Sequence, residues 1–403
     1  MIQYAPNRDI GVANPFKYGG EVSGYRFYDR KEDAKKLHRR LADGSTNVVL
    51  YAPRRYGKTS LVLKVLEQLR TEDSIPGLIF DMTKASSLER FCSEYANAVF
   101  ALVGGRKELF HKIADWLQHL HPKVSFGGDG GAPGVTFDYG ERMSALSISE
   151  VLDLPEKLMH ELGDKPLVVA FDEFQEVAEM SKEFPLENIF RSCIQSHRNV
   201  RYVFLGSKTH LLKRMFGDHA RPFYKSALPM PLGKPPEAES VAFVVTRFRE
   251  EGLEISETDA AEVVRVSENI PYYLQATASL TYERVTESQR TRIEPADVAA
   301  AADELVGLNA GLYEEQMRNF SDAKCALVRA LAEEPTTAFD EDYRGRHRLP
   351  TYSTVHSALK DLIDDGTVES DDAGYRLGDP MLARYVRQSP ARIFAAEEVA
   401  NGN

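Results

Sequence analysis

Cysteine and tryptophan are scarce in this sequence, whose 403 residues include three cysteines and one tryptophan. Cys92, Cys193 and Cys325 lie far apart and form no Cys-x-x-Cys pair, so they indicate neither a disulfide framework nor a zinc site. We expect them to be small buried apolar residues. No uncharged apolar run reaches the length of a membrane span, and the first residues lack a signal-peptide core. We therefore expect a cytoplasmic protein with no membrane contact.

A basic excess is also missing, because 50 Lys and Arg face 61 Asp and Glu, a net charge of −11. This balance argues against a chain that coats nucleic acid or anionic membrane over its whole surface. Hydrophobic content is 43% and charged content 28%, which is ordinary for a globular protein and excludes disordered and fibrous classes. The length is too great for one ordinary core and predicts two or three domains.

Short apolar runs alternate with helical patterns between residues 45 and 235, as expected for a parallel sheet covered by helices. The predicted strands are Asn47–Tyr51, Leu78–Asp81, Leu167–Asp172, Tyr202–Gly206 and Ala227–Leu232. Within Lys123–Tyr139, a glycine cluster separates two short alternating runs, which predicts an inserted hairpin or loop.

The pattern becomes helical after Pro236 and changes again near Ser321, where a helix, a turn and a second helix precede two short β runs. This second order of elements predicts a winged helix with β runs at Thr367–Ser370 and Gly374–Leu377. Its second helix carries one apolar stripe that we expect to be buried: Val355, Ala358, Leu359, Leu362 and Ile363. The residues expected to face outward are Ser353, Thr354, His356, Ser357 and Lys360.

Two interpretations of this winged helix stay open. Residues 321–390 hold nine Lys and Arg against thirteen Asp and Glu, whereas DNA-binding modules usually carry a basic excess. This balance favours a protein-contact or autoinhibitory module. Arg344, Arg346 and Arg348 nevertheless precede the second helix, and a few well-placed arginines suffice to contact DNA phosphates.

The strongest local motif is Ala52–Ser60, between the predicted strand Asn47–Tyr51 and a helical run. Strand, loop and helix in this order direct backbone N–H groups and a helix N-terminus at one point, which suits a polyphosphate. Gly57 permits close backbone approach, Lys58 would reach the β- and γ-phosphates, and the Thr59 hydroxyl would bind Mg²⁺. Ala52 departs from the usual motif, which has a glycine there. The other residues assigned to nucleotide binding are Pro53, Arg54, Arg55, Tyr56 and Ser60.

A second motif, Asp172-Glu173-Phe174-Gln175, follows the apolar run Leu167–Phe171. A buried strand that ends in two carboxylates places them at the carboxyl edge of the sheet, where the phosphate loop also lies. Asp172 would hold the metal, and Glu173 would orient and deprotonate the water that attacks the γ-phosphate. The hypothesis depends on these two motifs meeting in space.

Together the two motifs resemble the AAA+-like ATPases of the STAND type, in particular the archaeal and bacterial ATPase family with a C-terminal winged helix. The likeness is specific at Pro53–Leu61 and Asp172–Gln175 and looser at Asn14–Phe16, Tyr28–Arg30 and Leu377–Pro380. It implies an α/β P-loop NTPase of the ASCE type, with sheet order 5-1-4-3-2, a helical lid and a winged helix. The expected domains are an ATPase core at 1–235, a lid at 236–319, a winged helix at 320–390 and a tail at 391–403.

The resemblance implies further roles. Phe16 or Val22 would pack on the adenine, with Arg30 in the same stretch; an N-terminal strap over the core is the alternative. Ser207 takes the sensor position that detects the γ-phosphate, unless it only caps its strand. Pro271 would lie near the nucleotide in a Gly-x-Pro-like motif where Asn269 replaces glycine, a change that a left-handed backbone tolerates. The arginines that could approach a phosphate are Arg191, Arg198, Arg201, Arg214 and Arg221, most of which we expect to be surface charges.

These features predict a Mg²⁺-dependent ATP-binding protein that hydrolyses ATP to ADP and phosphate, with slow turnover left open. Its nucleotide state would set the domain arrangement, self-assembly or binding of a protein partner. One alternative is a DNA-binding AAA+-like ATPase that acts through its winged helix. Another is a catalytically weak, structural nucleotide-binding protein, for which the departure at Ala52 is the argument.

Overall fold

The computed structural model describes residues 14–20, 30–44, 46–102, 107–117, 122–125, 134–137, 144–163, 165–182, 184–371 and 374–388. This part of the chain divides into two compact units. The first unit comprises residues 30–233, and the second comprises residues 14–20 and the described residues from 234 onward. The division lies next to the predicted domain boundary at residue 235, while the predicted tail lies outside the described residues.

The first unit alternates strands and helices. Its strands are β1 (Val48–Tyr51), β2 (Gly77–Asp81), β3 (Pro122–Ser125), β4 (Gly134–Phe137), β5 (Leu167–Asp172), β6 (Val200–Gly206) and β7 (Leu228–Pro231). Its helices are α1 (Lys31–Ala42), α2 (Lys58–Glu72), α3 (Leu88–Ala101), α4 (Lys107–Trp116), α5 (Ala145–Leu152), α6 (Leu154–Glu161), α7 (Glu176–Met180), α8 (Leu186–Ser196) and α9 (Thr209–Gly217).

Five of these strands form one parallel sheet in the order β2-β5-β6-β1-β7. Numbered by their sequence within the sheet, they give the predicted order 5-1-4-3-2, which is confirmed. β5 has its predicted bounds, and the other four strands differ by one or two residues at one end or at both. β3 and β4 form the predicted inserted hairpin, and the glycine cluster between them lies outside the described residues.

The sheet is held by aromatic packing around β5, in which every residue is buried. The Phe171 ring lies 5.5 Å from the Phe190 ring and 6.0 Å from the Tyr202 ring, centroid to centroid. Each such pair contributes about 0.5–1.5 kcal/mol beyond the burial of its area. This packing fixes the carboxyl ends of β5 and β6, which are Asp172 and Gly206.

The second unit contains a helical domain and a winged helix. Its helices are α10 (Glu237–Glu250), α11 (Glu257–Val266), α12 (Pro271–Glu287), α13 (Pro295–Arg318), α14 (Asp322–Glu333), α15 (Glu341–Arg346), α16 (Tyr352–Asp364) and α17 (Pro380–Gln388), and its strands are β8 (Val368–Asp371) and β9 (Gly374–Leu377). α13 packs against both α12 and α17, so one continuous helix serves both domains. No helix among the described residues is long and apolar enough to cross a membrane.

Residues 14–20 belong to this second unit, whereas we predicted them in the ATPase core. The buried Phe16 ring lies 4.8 Å from that of Phe248 and 6.2 Å from that of Phe243, both on α10. Asn14 Nδ2 donates to Ser279 Oγ at 2.7 Å. Apolar packing therefore attaches the segment to the helical domain, whereas the alternative interpretation placed it as a strap over the ATPase core.

The winged helix differs from its prediction in two details. Residues 341–346 form the short helix α15 instead of a turn, because the Asp340 side chain caps it by accepting from the backbone N–H of Tyr343. In α16 the stripe Val355, Ala358, Leu359 and Leu362 is buried as predicted, but Ile363 is only half-buried. Cys92 and Cys193 are buried as expected, and Cys325 is half-buried.

Candidate phosphate and acidic site

The loop between β1 and α2 turns through two left-handed residues, Arg55 with φ of 70° and Gly57 with φ of 79°. Gly57 is the N-cap of α2, so the first N–H groups of this helix are directed out of the loop. A side chain at Gly57 would meet nothing within 4 Å, so the backbone conformation, not lack of space, favours glycine here. The resulting end of α2 attracts anions.

Lys58 places a buried cation at this turn. Its side chain is only 6% exposed, and Nζ donates to the carbonyl oxygens of Ala52 at 2.9 Å and Pro53 at 3.0 Å. The neighbouring residues of the loop differ in exposure: Arg54 and Arg55 are exposed, Tyr56 is buried, and Pro53 and Ser60 are half-buried. Among the three basic residues of the loop, Lys58 is therefore the one whose side chain is buried.

The two predicted motifs meet although β6 lies between β1 and β5 in the sheet. Thr59 Oγ1, in the first turn of α2, donates to Asp172 Oδ2 at 2.5 Å. Burial raises the pKa of Asp172, and the charge of Glu173 adds to this, while the Thr59 bond and the charge of Lys58 oppose it. The convergence on which the sequence hypothesis depends is thus present.

Glu173 follows with a left-handed backbone, at φ of 51°, which is strained for a non-glycine residue. Three donors reach its Oε2 atom: Gln175 Nε2 at 2.5 Å, Ser207 Oγ at 2.8 Å and the Ser207 backbone N–H at 3.2 Å. Burial alone raises the pKa of Glu173, but these hydrogen bonds and the charge of Lys58 outweigh it and lower the pKa. Glu173 is therefore held in its ionised form.

Sequence reasoning assigned Ser207 to this site but gave Gln175 no role. Ser207 is near Glu173 because β5 and β6 are adjacent and end at the same edge of the sheet, whereas Gln175 is only two residues further along the chain. The sequence could have indicated this role, because Gln175 is only two residues after Glu173 and directly precedes α7.

Arg30 forms a hydrogen bond with the backbone of the 52–60 loop. It is 3% exposed, and its guanidinium donates to the Tyr56 carbonyl at 2.9 Å and the Gly233 carbonyl at 2.8 Å. It also pairs with Asp33 at 3.2 Å. These bonds hold Arg30 to the protein backbone, so its predicted place on the adenine side remains only a prediction, as does that of Phe16. Val22 lies outside the described residues.

The lid motif keeps the backbone that we expected of it. Asn269 is left-handed, with φ of 57°, and its Nδ2 donates to the Pro235 carbonyl at 2.7 Å. Pro271 is the first residue of α12, where a proline needs no hydrogen-bond donor. Asparagine thus replaces glycine in this motif without loss of its conformation, and the position of Pro271 near a nucleotide stays a prediction.

Three of the five arginines considered as phosphate ligands are engaged inside the first unit. Arg201 donates to the carbonyls of Leu41 and Ala42, Arg221 pairs with Glu187, and Arg191 Nε donates to the Pro222 carbonyl at 3.1 Å. Arg198 is exposed, and the Arg214 side chain is 70% exposed and has a 4.0 Å contact with Asp218. The structure singles out none of them as an arginine finger.

Arg344, Arg346 and His347, which precede α16, have partners within the winged helix, whereas Arg348 is exposed. Arg346 contacts Glu334 at 2.9 Å, His347 Nε2 contacts the same carboxylate at 2.9 Å, and Arg344 Nε donates to the Phe339 carbonyl at 3.2 Å. The region 234–403 as a whole holds 18 Lys and Arg against 32 Asp and Glu, whereas residues 30–233 hold 29 against 26. The acidic excess of the chain therefore belongs to its carboxyl-terminal part.

Comparison with known proteins agrees with this fold. A family model described as a probable winged helix domain matches residues 311–388, which begins inside α13. The Walker-type ATPase of Pyrococcus abyssi is similar in structure, with a TM-score of 0.65 and 21% identity over 93% of this chain and 99% of that one. The ORC2 protein of Aeropyrum pernix in its ADPNP–ADP complexes has a TM-score of 0.56 and 16% identity over 93% and 95%. No protein of curated function matches the sequence.

These likenesses and the strand order define the class of protein: a P-loop ATPase fold with a helical region and a C-terminal winged helix. Within that class the chain is similar in fold to the archaeal Walker-type ATPase and to archaeal ORC2. At sequence identities of 21% and 16%, structural similarity establishes the fold alone, so function has to be argued from the site.

Proposed function

We propose that this chain binds Mg·ATP between the 52–60 loop and the end of β5 and hydrolyses it to ADP and phosphate. The single observation that carries the proposal is the contact of Thr59 with Asp172 at 2.5 Å, which joins an anion-binding helix end to a carboxylate. A hydroxyl and a carboxylate are oxygen ligands of the kind that Mg²⁺ prefers, so the residues fit this ion. When bound, Mg²⁺ neutralises charge on the β- and γ-phosphates.

The side chains around this contact take separate roles. The Lys58 ammonium, held at the loop, would exchange its two carbonyl bonds for phosphate oxygens of the nucleotide. Glu173 would orient a water and accept its proton, and Ser207 would hold the carboxylate in place. A base with a lowered pKa is ionised at neutral pH but removes a proton less efficiently, so the site favours slow turnover.

Slow turnover suits a protein in which nucleotide state sets a conformation or an assembly. We infer a switch of the STAND type, which the Pro53–Leu61 and Asp172–Gln175 motifs support, acting on a second copy of the chain or on a protein partner. The acidic balance of residues 234–403 and the internal pairing of Arg346 support a winged helix that contacts protein.

The Mg²⁺ dependence of ATP binding tests the proposal through Thr59→Val. The variant keeps a branched side chain and loses the hydroxyl, so we expect ATP affinity in Mg²⁺ to fall roughly 10- to 100-fold. Affinity in the presence of a chelator should equal that of the wild type. Titration of a fluorescent ATP analogue measures both values. Thr71→Val is the matched control, because this exposed hydroxyl on α2 donates only within its own helix. A full Mg²⁺ response in Thr59→Val contradicts the metal assignment.

A DNA-binding ATPase is the second candidate, which the winged-helix match favours. The acidic charge and the Arg346–Glu334 pair argue against it, so we expect no salt-sensitive binding of duplex DNA, with or without ATP. Fluorescence anisotropy between about 50 and 200 mM salt measures this. Binding that weakens steeply with salt, and that is lost when Arg344, Arg346 and Arg348 are all replaced by alanine, establishes the DNA candidate instead.

A further inference from the structure

Gln175 is a buried amide with an unusual set of partners. It is 1% exposed, and its Nε2 donates to Glu173 Oε2 at 2.5 Å. Its other polar atom, Oε1, is buried and has no hydrogen-bond partner among the described residues. An unsatisfied buried carbonyl is unfavourable, so it needs an explanation beyond stability. The hydrogen bond to Glu173 is the favourable interaction that this buried position gives to Gln175.

Gly206 provides the space for this amide. A Cβ atom at Gly206 would overlap Gln175 Oε1 and would lie 2.7 Å from Leu212 Cδ1. Gly206 is the last residue of β6 and directly precedes Ser207, the other residue that donates to Glu173. The sequence Gly206-Ser207 thus supplies two of the three donors to Glu173 and the space for the third.

The donors are arranged asymmetrically on the carboxylate. Gln175 Nε2, Ser207 Oγ and the Ser207 backbone N–H all reach Oε2, so Oε1 receives none of these three bonds. Two lone pairs on Oε2 are more than matched by three donors, which leaves Oε1 as the oxygen able to accept from a water. The left-handed backbone at Glu173 fixes the direction from which the side chain enters this arrangement.

We propose that Gln175 is a positioning residue of the hydrolytic site: with Gly206 making room for it, its amide holds Oε2 of Glu173 so that Oε1 faces the attacking water. This inference rests on the proposed ATPase function. Besides Gln175, the side chains that act on Glu173 are those of Ser207, Lys58 and Asp172, and all three are still present in a Gln175 variant.

Gln175→Met tests the role, because it keeps the length of the side chain and removes the donor. We expect kcat for ATP hydrolysis to fall about tenfold or more, while the Kd of a non-hydrolysable ATP analogue changes less than about twofold. Gln195→Met is the control, since Gln195 is an exposed glutamine on α8 of the same unit. An unchanged kcat, a raised kcat, or a loss confined to Kd overturns the proposal.

A double-mutant cycle with Glu173→Gln separates positioning from a general effect on folding. If Gln175 acts through Glu173, then Gln175→Met lowers the single-turnover rate in the wild type but not in Glu173→Gln. An equal fold-loss in both backgrounds overturns the proposal. Should Gln175→Met fold poorly, Gly206→Ala displaces the same amide, and its effect on kcat should shrink when Gln175→Ala supplies the missing space.

A spectroscopic readout needs no turnover. In glutamine-labelled protein, the side-chain NH₂ resonance of Gln175 is assigned by its loss in Gln175→Met, and it should shift strongly in Glu173→Ala. No shift overturns the proposal. If the wild type shows no ATP hydrolysis that depends on Lys58, the proposed function fails and the inference fails with it. If the wild type is active and Gln175→Met equals it, the inference alone fails.

Discussion

Glu173→Gln should bind ATP as tightly as the wild type and lose about 10²- to 10⁴-fold in the rate of hydrolysis. The substituted amide has the shape of the carboxylate, and its carbonyl oxygen can accept the three hydrogen bonds that now reach Oε2. Phosphate-directed contacts from Lys58 and Thr59 stay in place, so binding is retained. What disappears is the proton acceptor for the attacking water. Single-turnover phosphate release, measured beside equilibrium ATP binding, gives both quantities.

Glu179→Gln is the matched control for this variant. Glu179 is a carboxylate on α7, six residues further along the chain, and its side chain is 44% exposed and pairs with Lys182. Its replacement should change neither the rate nor the affinity. Hydrolysis at the wild-type rate in Glu173→Gln would show that another group takes the proton. An absence of turnover in the wild type itself would support the structural nucleotide-holder alternative.

Lys58→Ala should lower ATP affinity by about 100-fold or more, whether or not Mg²⁺ is present. The ammonium is the buried cation of the loop, and hydrogen bonds to charged groups contribute about 1.5–3 kcal/mol each. Loss of two phosphate contacts therefore exceeds the roughly 2.7 kcal/mol that corresponds to a 100-fold change in Kd. Isothermal titration calorimetry with a non-hydrolysable analogue measures the change.

The variant also leaves the carbonyls of Ala52 and Pro53 without this donor, so its fold must be checked. Circular dichroism and the melting temperature serve this purpose. Arg70→Ala removes a cation from the last turn of the same helix, where the side chain is 66% exposed, and should leave affinity unchanged. Equal ATP affinity in the wild type and Lys58→Ala would refute the nucleotide site.

The parts of the fold that the sequence predicted are those set by local pattern. Leu167–Phe171 is an uninterrupted apolar run followed by the carboxylate of Asp172, a pattern that predicts a fully buried strand. The strand β5 spans Leu167–Asp172, as predicted. Gly57 and Lys58 could likewise be predicted from local sequence, because they stand between a strand pattern and a helix pattern. The strand order was predicted from the resemblance of two such motifs to a known family, because the sequence of an individual strand does not show which strands lie beside it.

The features that the sequence did not predict depend on contacts between distant residues. Arg30 donates to carbonyls that are 26 and 203 positions away, and no local pattern marks these partners. Gln175 owes its role to its bond with Glu173 and to the space at Gly206, which become neighbours only when β5 and β6 pair. Likewise, no local pattern marks the pairing of Arg346 with Glu334, which lies twelve residues earlier in the chain.

The Arg30 guanidinium has a mechanical consequence for the proposed switch. One planar group binds the carbonyl of Tyr56, within the phosphate loop, and that of Gly233, where the chain leaves the first unit. If the Tyr56 peptide rotates, the guanidinium must either release it or turn with it and pull on Gly233. The positions of the Tyr56 and Gly233 carbonyls are thereby coupled through two hydrogen bonds of one side chain.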